Sequence, residues 1–159
     1  MKIIGTYGPK RTQRTRVAAF IVAAVLILML LTQLYGYEDF AVTLGAVIPF
    51  SDAALLKVSA ATIVIVELLS LPYLLGMYLS KLMRVLSGIF AAGMAVFWLF
   101  TSFTNSHASN SALFSTTFEL PGGVLAAAMS LLLFVGIVIV IKADTESASK
   151  PLEKKGKLE

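Results

Sequence analysis

Glu67 is the residue whose type and position most need a chemical explanation. It stands near the middle of an apolar block that runs from about Ala53 or Val58 to Leu79. An acidic side chain at the centre of a membrane helix costs about 2.5–3.5 kcal/mol on insertion scales. Protonation, a hydrogen-bonded partner or a water-filled cavity has to offset that cost. On a wheel of about 100° per residue, Ser59, Thr62, Glu67, Ser70 and Tyr73 fall within about 140° of one another. The block therefore carries a polar stripe expected to face inward, with Glu67, Ser70, Tyr73 and Thr62 as the binding or ionisable candidates. Two chemistries fit such a group. One is an acid that exchanges a proton or binds a ligand in a polar interior; the other is a neutral carboxyl donating a single interhelical hydrogen bond as glue. Thr32, Gln33 and Ser102 are candidate partners, although they stand nearer the outer ends of their own helices.

Other familiar chemistries lack their residues. The chain has no cysteine, so disulfides, thiolate metal sites, haem attachment and dithiol redox chemistry have no ligands here. His107 is the lone histidine, and Glu38, Asp39 and Glu119 stand at no recognisable ligand spacing from it. No metal site, serine-type triad, phosphate-binding glycine loop or dinucleotide fingerprint is expected, and no catalytic residue is assigned.

The elements that must position Glu67 are legible from the distribution of apolar residues. The chain is 58% hydrophobic and 14% charged over 159 residues, with mean hydropathy +0.87. A soluble domain is about 45–50% apolar and about 25% charged. The apolar surplus lies in four blocks: Val17 to about Tyr35, Ala53 or Val58 to Leu79, Val85 to Phe103, and Leu120 to Ile141. Each approaches or exceeds the roughly 20 residues that cross about 30 Å of hydrocarbon. The first block is too long for a signal h-region and Thr32-Gln33-Leu34-Tyr35 offers no cleavage site, so it reads as a retained helix. The expected fold is a single all-α membrane domain over residues 17–141, a four-transmembrane-helix bundle. A basic cytoplasmic stretch, 1–16, precedes it, and a charged, disordered cytoplasmic tail, 142–159, follows.

Lysine and arginine divide twelve to one between the two faces this topology creates, with Lys57 alone on the minority side. The positive-inside rule then places both termini and the Ser80–Arg84 connection in the cytoplasm. The net charge of +4 and pI near 9.4 arise from residues flanking apolar blocks, which points to topology and lipid headgroups and away from nucleic acid. Within the outward segment Gly36–Lys57, Phe40, Leu44, Val47 and Ile48 share one helical face, Glu38 and Asp39 suit a helix start, and Pro49 stops it. A short amphipathic outer helix is expected there, with Ser51 and Asp52 capping the next span. Thr104–Glu119 reads as an irregular outer loop, and Pro121 suits the first turn of the last helix. Aromatics including Tyr35, Phe40, Trp98, Phe103 and Phe114 cluster towards the outer boundary, as an interfacial belt or as bundle filling. Pro72 and Gly76 could hinge the second span or simply pack. Small residues at four-residue spacing, such as Ser87/Ala91/Ala95 and Gly122/Ala126/Ser130, allow close helix approach.

Glu67-Leu68-Leu69, then Leu74-Leu75-Gly76, the basic turn ending at Arg84, and Ala91-Ala92 resemble the DoxX superfamily and its MauE-like branch. The resemblance spans roughly residues 17–141. It implies four membrane helices, an amphipathic outer segment between the first two, and an acid in the second. Two features depart from it. Ser70, Leu71 and Pro72 stand where the family has glycine soon after the Glu-Leu pair. Redox-associated members carry an Asn-Cys-Gly-x-Phe-like element before the last helix, whereas Asn110-Ser111-Ala112-Leu113-Phe114 stands here with serine in the thiol position. The resemblance thus implies no thiol–disulfide role; a quinone-linked one stays open with no residue assigned. The resulting expectation is an accessory or assembly subunit of a larger membrane complex, such as a respiratory one, without catalysis or cofactor of its own. It would sit in the plasma membrane of a bacterium or archaeon, among lipid and other membrane subunits or a second copy of itself. The alternative is a small-molecule binder or proton-coupled transporter that uses Glu67.

Overall fold

The computed structural model describes residues 11–48, 52–104, 110–116 and 123–149, the side chains of 147–149 excepted. Its elements are α1 (Gln13–Tyr35), α2 (Tyr37–Val47), α3 (Ala53–Leu74), α4 (Lys81–Thr104) and α5 (Val124–Ser149). Among the described residues the architecture is all-helical. α1, α3, α4 and α5 are each long and apolar enough to cross a membrane.

A 3.6-residue period explains which side of each long helix turns inward. Ala19, Val22, Ala23, Leu26, Met29, Leu30 and Gln33 form the buried stripe of α1. Ala60, Ile63, Val64, Glu67, Ser70 and Leu74 form that of α3. The outward faces are equally apolar, with Phe20, Ile21 and Leu31 on α1 and Ile65 and Leu68 on α3 more than half exposed. A helix apolar on every side suits lipid on one face and protein on the other. The four long helices close a ring: α1 lies against α3 and α5, and α4 bridges α3 and α5. The short helix α2 packs on α3 through a face that buries Phe40, Ala41, Leu44 and Val47.

Local chemistry sets the helix boundaries. The side chain of Asp52 accepts from Ala54 N at 2.9 Å and starts α3. Ser80 does the same for α4, accepting from Met83 N at 3.3 Å. Gly76, suggested above as half of a hinge, instead terminates α3 with φ 68. Its N–H donates to Tyr73 O at 3.2 Å and Met77 N–H donates to Pro72 O at 3.1 Å. This paired arrangement is the Schellman stop, in which a left-handed residue takes up the last free carbonyls. α5 continues past the expected end at Ile141 to Ser149, so the first part of the segment expected to be disordered is helical. His107, Pro49, Ser51, Pro121 and Glu119 lie outside the described residues.

Small residues line the buried faces of α4 and α5. Ser87, Ala91 and Ala95 are buried along α4, and Ala126 and Ser130 along α5. Ser102 and Ser130 share a hydrogen bond of 2.7 Å that ties α4 to α5. Gly136, which the spacing argument did not single out, touches α1 so closely that an added Cβ would collide with Val22 Cγ2.

Candidate functional site

Glu67 points into the ring and is completely buried. α4 supplies its clearest partner: Trp98 Nε1–H donates to Glu67 Oε1 at 2.7 Å. Trp98 is therefore an interior residue, 1% exposed, and not part of an interfacial belt. Tyr35, Phe100 and Phe103 are exposed, whereas Phe40 and Phe114 are buried. α1 contributes Gln33, also fully buried, whose amide is the second hydrogen-bonding side chain beside the carboxyl. Gln33 Nε2–H donates to Leu113 O at 3.2 Å. A backbone carbonyl can only accept, so that bond fixes which end of the amide faces Leu113.

Leu113 belongs to a segment that dips into the bundle between α4 and α5. Ser111, Ala112, Leu113, Phe114 and Ser115 are all buried. The turn is held by Asn110, whose side chain accepts from Ala112 N at 3.1 Å and donates to Ser115 O at 2.9 Å. Ala112 and Ser115 adopt positive φ of 61 and 57, a left-handed backbone that costs a non-glycine residue about 1–2 kcal/mol. Ser115 Oγ donates to Gly36 O at 3.3 Å, and Thr116 Oγ1 to Asp39 Oδ2 at 3.3 Å. The expected irregular loop thus contains a buried turn docked on the junction of α1 and α2.

Three buried side-chain atoms here have no hydrogen-bond partner: Glu67 Oε2, Gln33 Oε1 and Ser111 Oγ. Buried polar atoms are nearly always paired, so an unpartnered carboxyl oxygen, amide oxygen and hydroxyl leave hydrogen-bonding capacity unspent in the bundle.

The other candidates lie elsewhere. Ser70 is buried one turn on from Glu67 and donates to its backbone carbonyl at 2.6 Å, not to its carboxyl. Thr62 is exposed and bonds back to Val58 O at 2.8 Å. Thr32 donates to Leu28 O and Met29 O within α1. Ser102 is engaged by Ser130. The polar stripe is therefore narrower than the wheel suggested, because a hydroxyl that bonds its own helix has no need to turn inward.

Tyr73 serves a second polar cluster at the opposite end of the ring from α2. Arg11 Nε and Nη2 donate to Asp144 Oδ1 and Oδ2 at 3.0 and 2.9 Å. The same guanidinium donates to Leu74 O and Tyr73 O, both at 2.8 Å, and lies 5.2 Å from the centre of the Tyr73 ring. Arg84 reaches Asp144 Oδ2 at 3.3 Å. A cation at the carbonyl end of α3 complements its dipole. Between the two clusters, Ser87 Oγ of α4 accepts from Tyr73 N at 3.2 Å and donates to Leu69 O. Pro72 loosens this turn of α3, and the hydroxyl bridges it.

Trp98, Arg11 and Asp144 were not among the sequence candidates. Among Phe, Tyr and Trp, indole alone carries an N–H and can only donate, which is the available signal for Trp98. Arg11 looked like one of many topology charges. Among the described residues no cluster of three metal-ligating side chains occurs. No family model matches the chain, and neither the curated proteins nor the solved structures contain a similar one.

Proposed function

We propose that this chain is a membrane-embedded binding protein of DoxX-like build, which holds a small hydrogen-bond-donating molecule at Glu67. The observation that carries the reading is the trio of buried, unpartnered atoms Glu67 Oε2, Gln33 Oε1 and Ser111 Oγ. Trp98 engages Glu67 Oε1 and Gln33 lies beside the same carboxyl, yet Oε2 keeps no partner of its own. The guest is bound by hydrogen bonds between α1, α3 and the turn at 110–116, with Trp98 fixing the carboxyl from behind.

The DoxX resemblance gains support from the four long helices with a short one between the first two. It gains more from Ala112, whose φ of 61 falls where the family's element has glycine. The charge division supports a cytoplasmic membrane of a bacterium or archaeon with both termini inside. On that orientation Arg11, Arg84 and Asp144 line the inner end and α2 lies in the outer interface, apolar face inward.

A second reading, the accessory subunit, is favoured by the complete burial of Glu67 behind the 110–116 turn, which suits a structural role. One experiment separates the two. The protein is extracted directly from membranes into lipid nanodiscs and analysed by native mass spectrometry, alongside Glu67→Gln. A small-molecule adduct on the wild type that is lost in Glu67→Gln supports binding. A stoichiometric protein partner on both, with no adduct on either, replaces binding by the accessory role.

A further inference from the structure

Arg11 by itself already satisfies Asp144. Its Nε and Nη2 donate to the two carboxylate oxygens at 3.0 and 2.9 Å. Arg84 then comes to 3.3 Å from Oδ2, the oxygen that Arg11 Nη2 already holds. Two guanidinium groups around one carboxylate leave a positive charge uncompensated. Lys81 adds another from three residues earlier, on the same side of α4. No acid stands in the first turn of that helix, where the dipole would favour one. Glu146 is the other acid near this end of α5 among the described residues, and it lies about 200° further round the helix than Asp144. Asp144 is also the one ion-pair partner of Arg84 among the described residues, so most of the donors on its guanidinium are free.

The surroundings of these cations are apolar. Tyr78, Leu82 and Val85 are more than half exposed around Lys81 and Arg84, and Ile89 continues the exposed row along α4. Lys81 is the first residue of a helix long and apolar enough to cross a membrane, which sets both cations at headgroup depth. An ordinary interfacial arginine extends its head into water. Arg84 is instead held back on Asp144 and is only 25% exposed. We infer that Arg84 and Lys81 bind the phosphate of an anionic glycerophospholipid, with an acyl chain along Leu82, Val85 and Ile89. The phosphate accepts from the guanidinium N–H groups that Asp144 leaves free and from the Lys81 ammonium, bringing the negative charge that this end of the bundle lacks. A planar guanidinium already oriented by its carboxylate neighbour distinguishes this site from the exposed Arg14 and Arg16 at the start of α1. A soluble phosphate would meet the same donors but gain nothing from the apolar row.

The test uses the full-length protein, washed free of native lipid in detergent and titrated with phosphatidylglycerol under native mass spectrometry. One phosphatidylglycerol per chain should bind. Phosphatidylcholine, with the same acyl chains but no net charge, should bind about tenfold more weakly or worse. Arg84→Gln should weaken the phosphatidylglycerol complex about thirtyfold, the effect of losing a hydrogen bond between charged groups, and Lys81→Gln about fivefold. Arg14→Gln and Arg16→Gln, remote and screened, should change it by less than about twofold. Equal weakening by Arg84→Gln and Arg14→Gln overturns the inference, since the cations would then act as an unspecific belt. Equal affinity for the two lipids overturns it as well. Glycerol 3-phosphate serves as the soluble competitor: it should leave the lipid bound even in excess, and displacement overturns lipid as the occupant. Arg84→Gln retains the Arg11–Asp144 pair, so the fold should survive, and thermal unfolding gives a second readout. Phosphatidylglycerol should raise the midpoint of the wild type and leave that of Arg84→Gln unchanged; an equal rise in both overturns the inference. No measurement here touches Glu67, so this site and the guest site stand or fall separately.

Discussion

A buried carboxyl is defined by its donors, and Glu67 has one that the structure supplies outright. Replacing Trp98 with Phe keeps most of the ring but removes the N–H at 2.7 Å. The expected loss is about 1–3 kcal/mol, the cost of leaving a buried acceptor unpaired. It is measured by unfolding in mixed micelles, and it should shrink in a Glu67→Leu background, where no acceptor remains. A second residue-scale prediction concerns Ala112, buried and at φ 61. Ala112→Gly should be tolerated within about 1 kcal/mol, since relief of the left-handed penalty offsets the lost methyl. Ala112→Val combines a β-branched side chain with positive φ and a packed site, and should cost more than about 2 kcal/mol in the same assay. Of these residues only Glu67 announced itself in the sequence. A charge inside an apolar block is visible because its cost is local. Trp98 and Glu67 are 31 residues apart, and nothing in a single sequence pairs them. Thr62 misled the wheel because a hydroxyl can satisfy itself on its own helix.

The elements were more legible than the site they hold. Helix existence follows from block length and apolar content, both readable without tertiary knowledge. The caps were partly readable too, as Asp52 illustrates. What the blocks could not disclose was which small residue matters. Gly136 has no special spacing partner, yet it lies directly against Val22 on α1. Valine is stiff in a helix and cannot swing its methyl away. Gly136→Ala should therefore cost about 1–3 kcal/mol through overpacking, and Val22→Ala should restore much of that loss, with thermal unfolding of each single and the double variant as the measurement. The tail shows the opposite error. Charged composition argued for disorder beyond Ile141, but Asp144 finds Arg11 and carries α5 onward as helix. Tertiary pairing overrode a local tendency.

At the scale of the molecule, the Arg11–Asp144 pair is the contact that joins the beginning of the described chain to its end. Its side chains are 3% and 9% exposed. Arg11→Ala should destabilise by about 3 kcal/mol, the low end for breaking a buried pair, because Arg84 remains beside Asp144. Asp144→Asn should cost more, since it leaves two guanidinium groups without an anion. Chemical unfolding of both variants checks the order. The partners are 133 residues apart, which gives the pair a role in time as well as in space. During synthesis Arg11 is made well before Asp144, so an intermediate that lacks α5 holds Arg11 only through the carbonyls of Tyr73 and Leu74, without the carboxylate. Only the arrival of the final helix closes that gap. Completion of α5 is thus what turns a contact with backbone carbonyls into a buried ion pair.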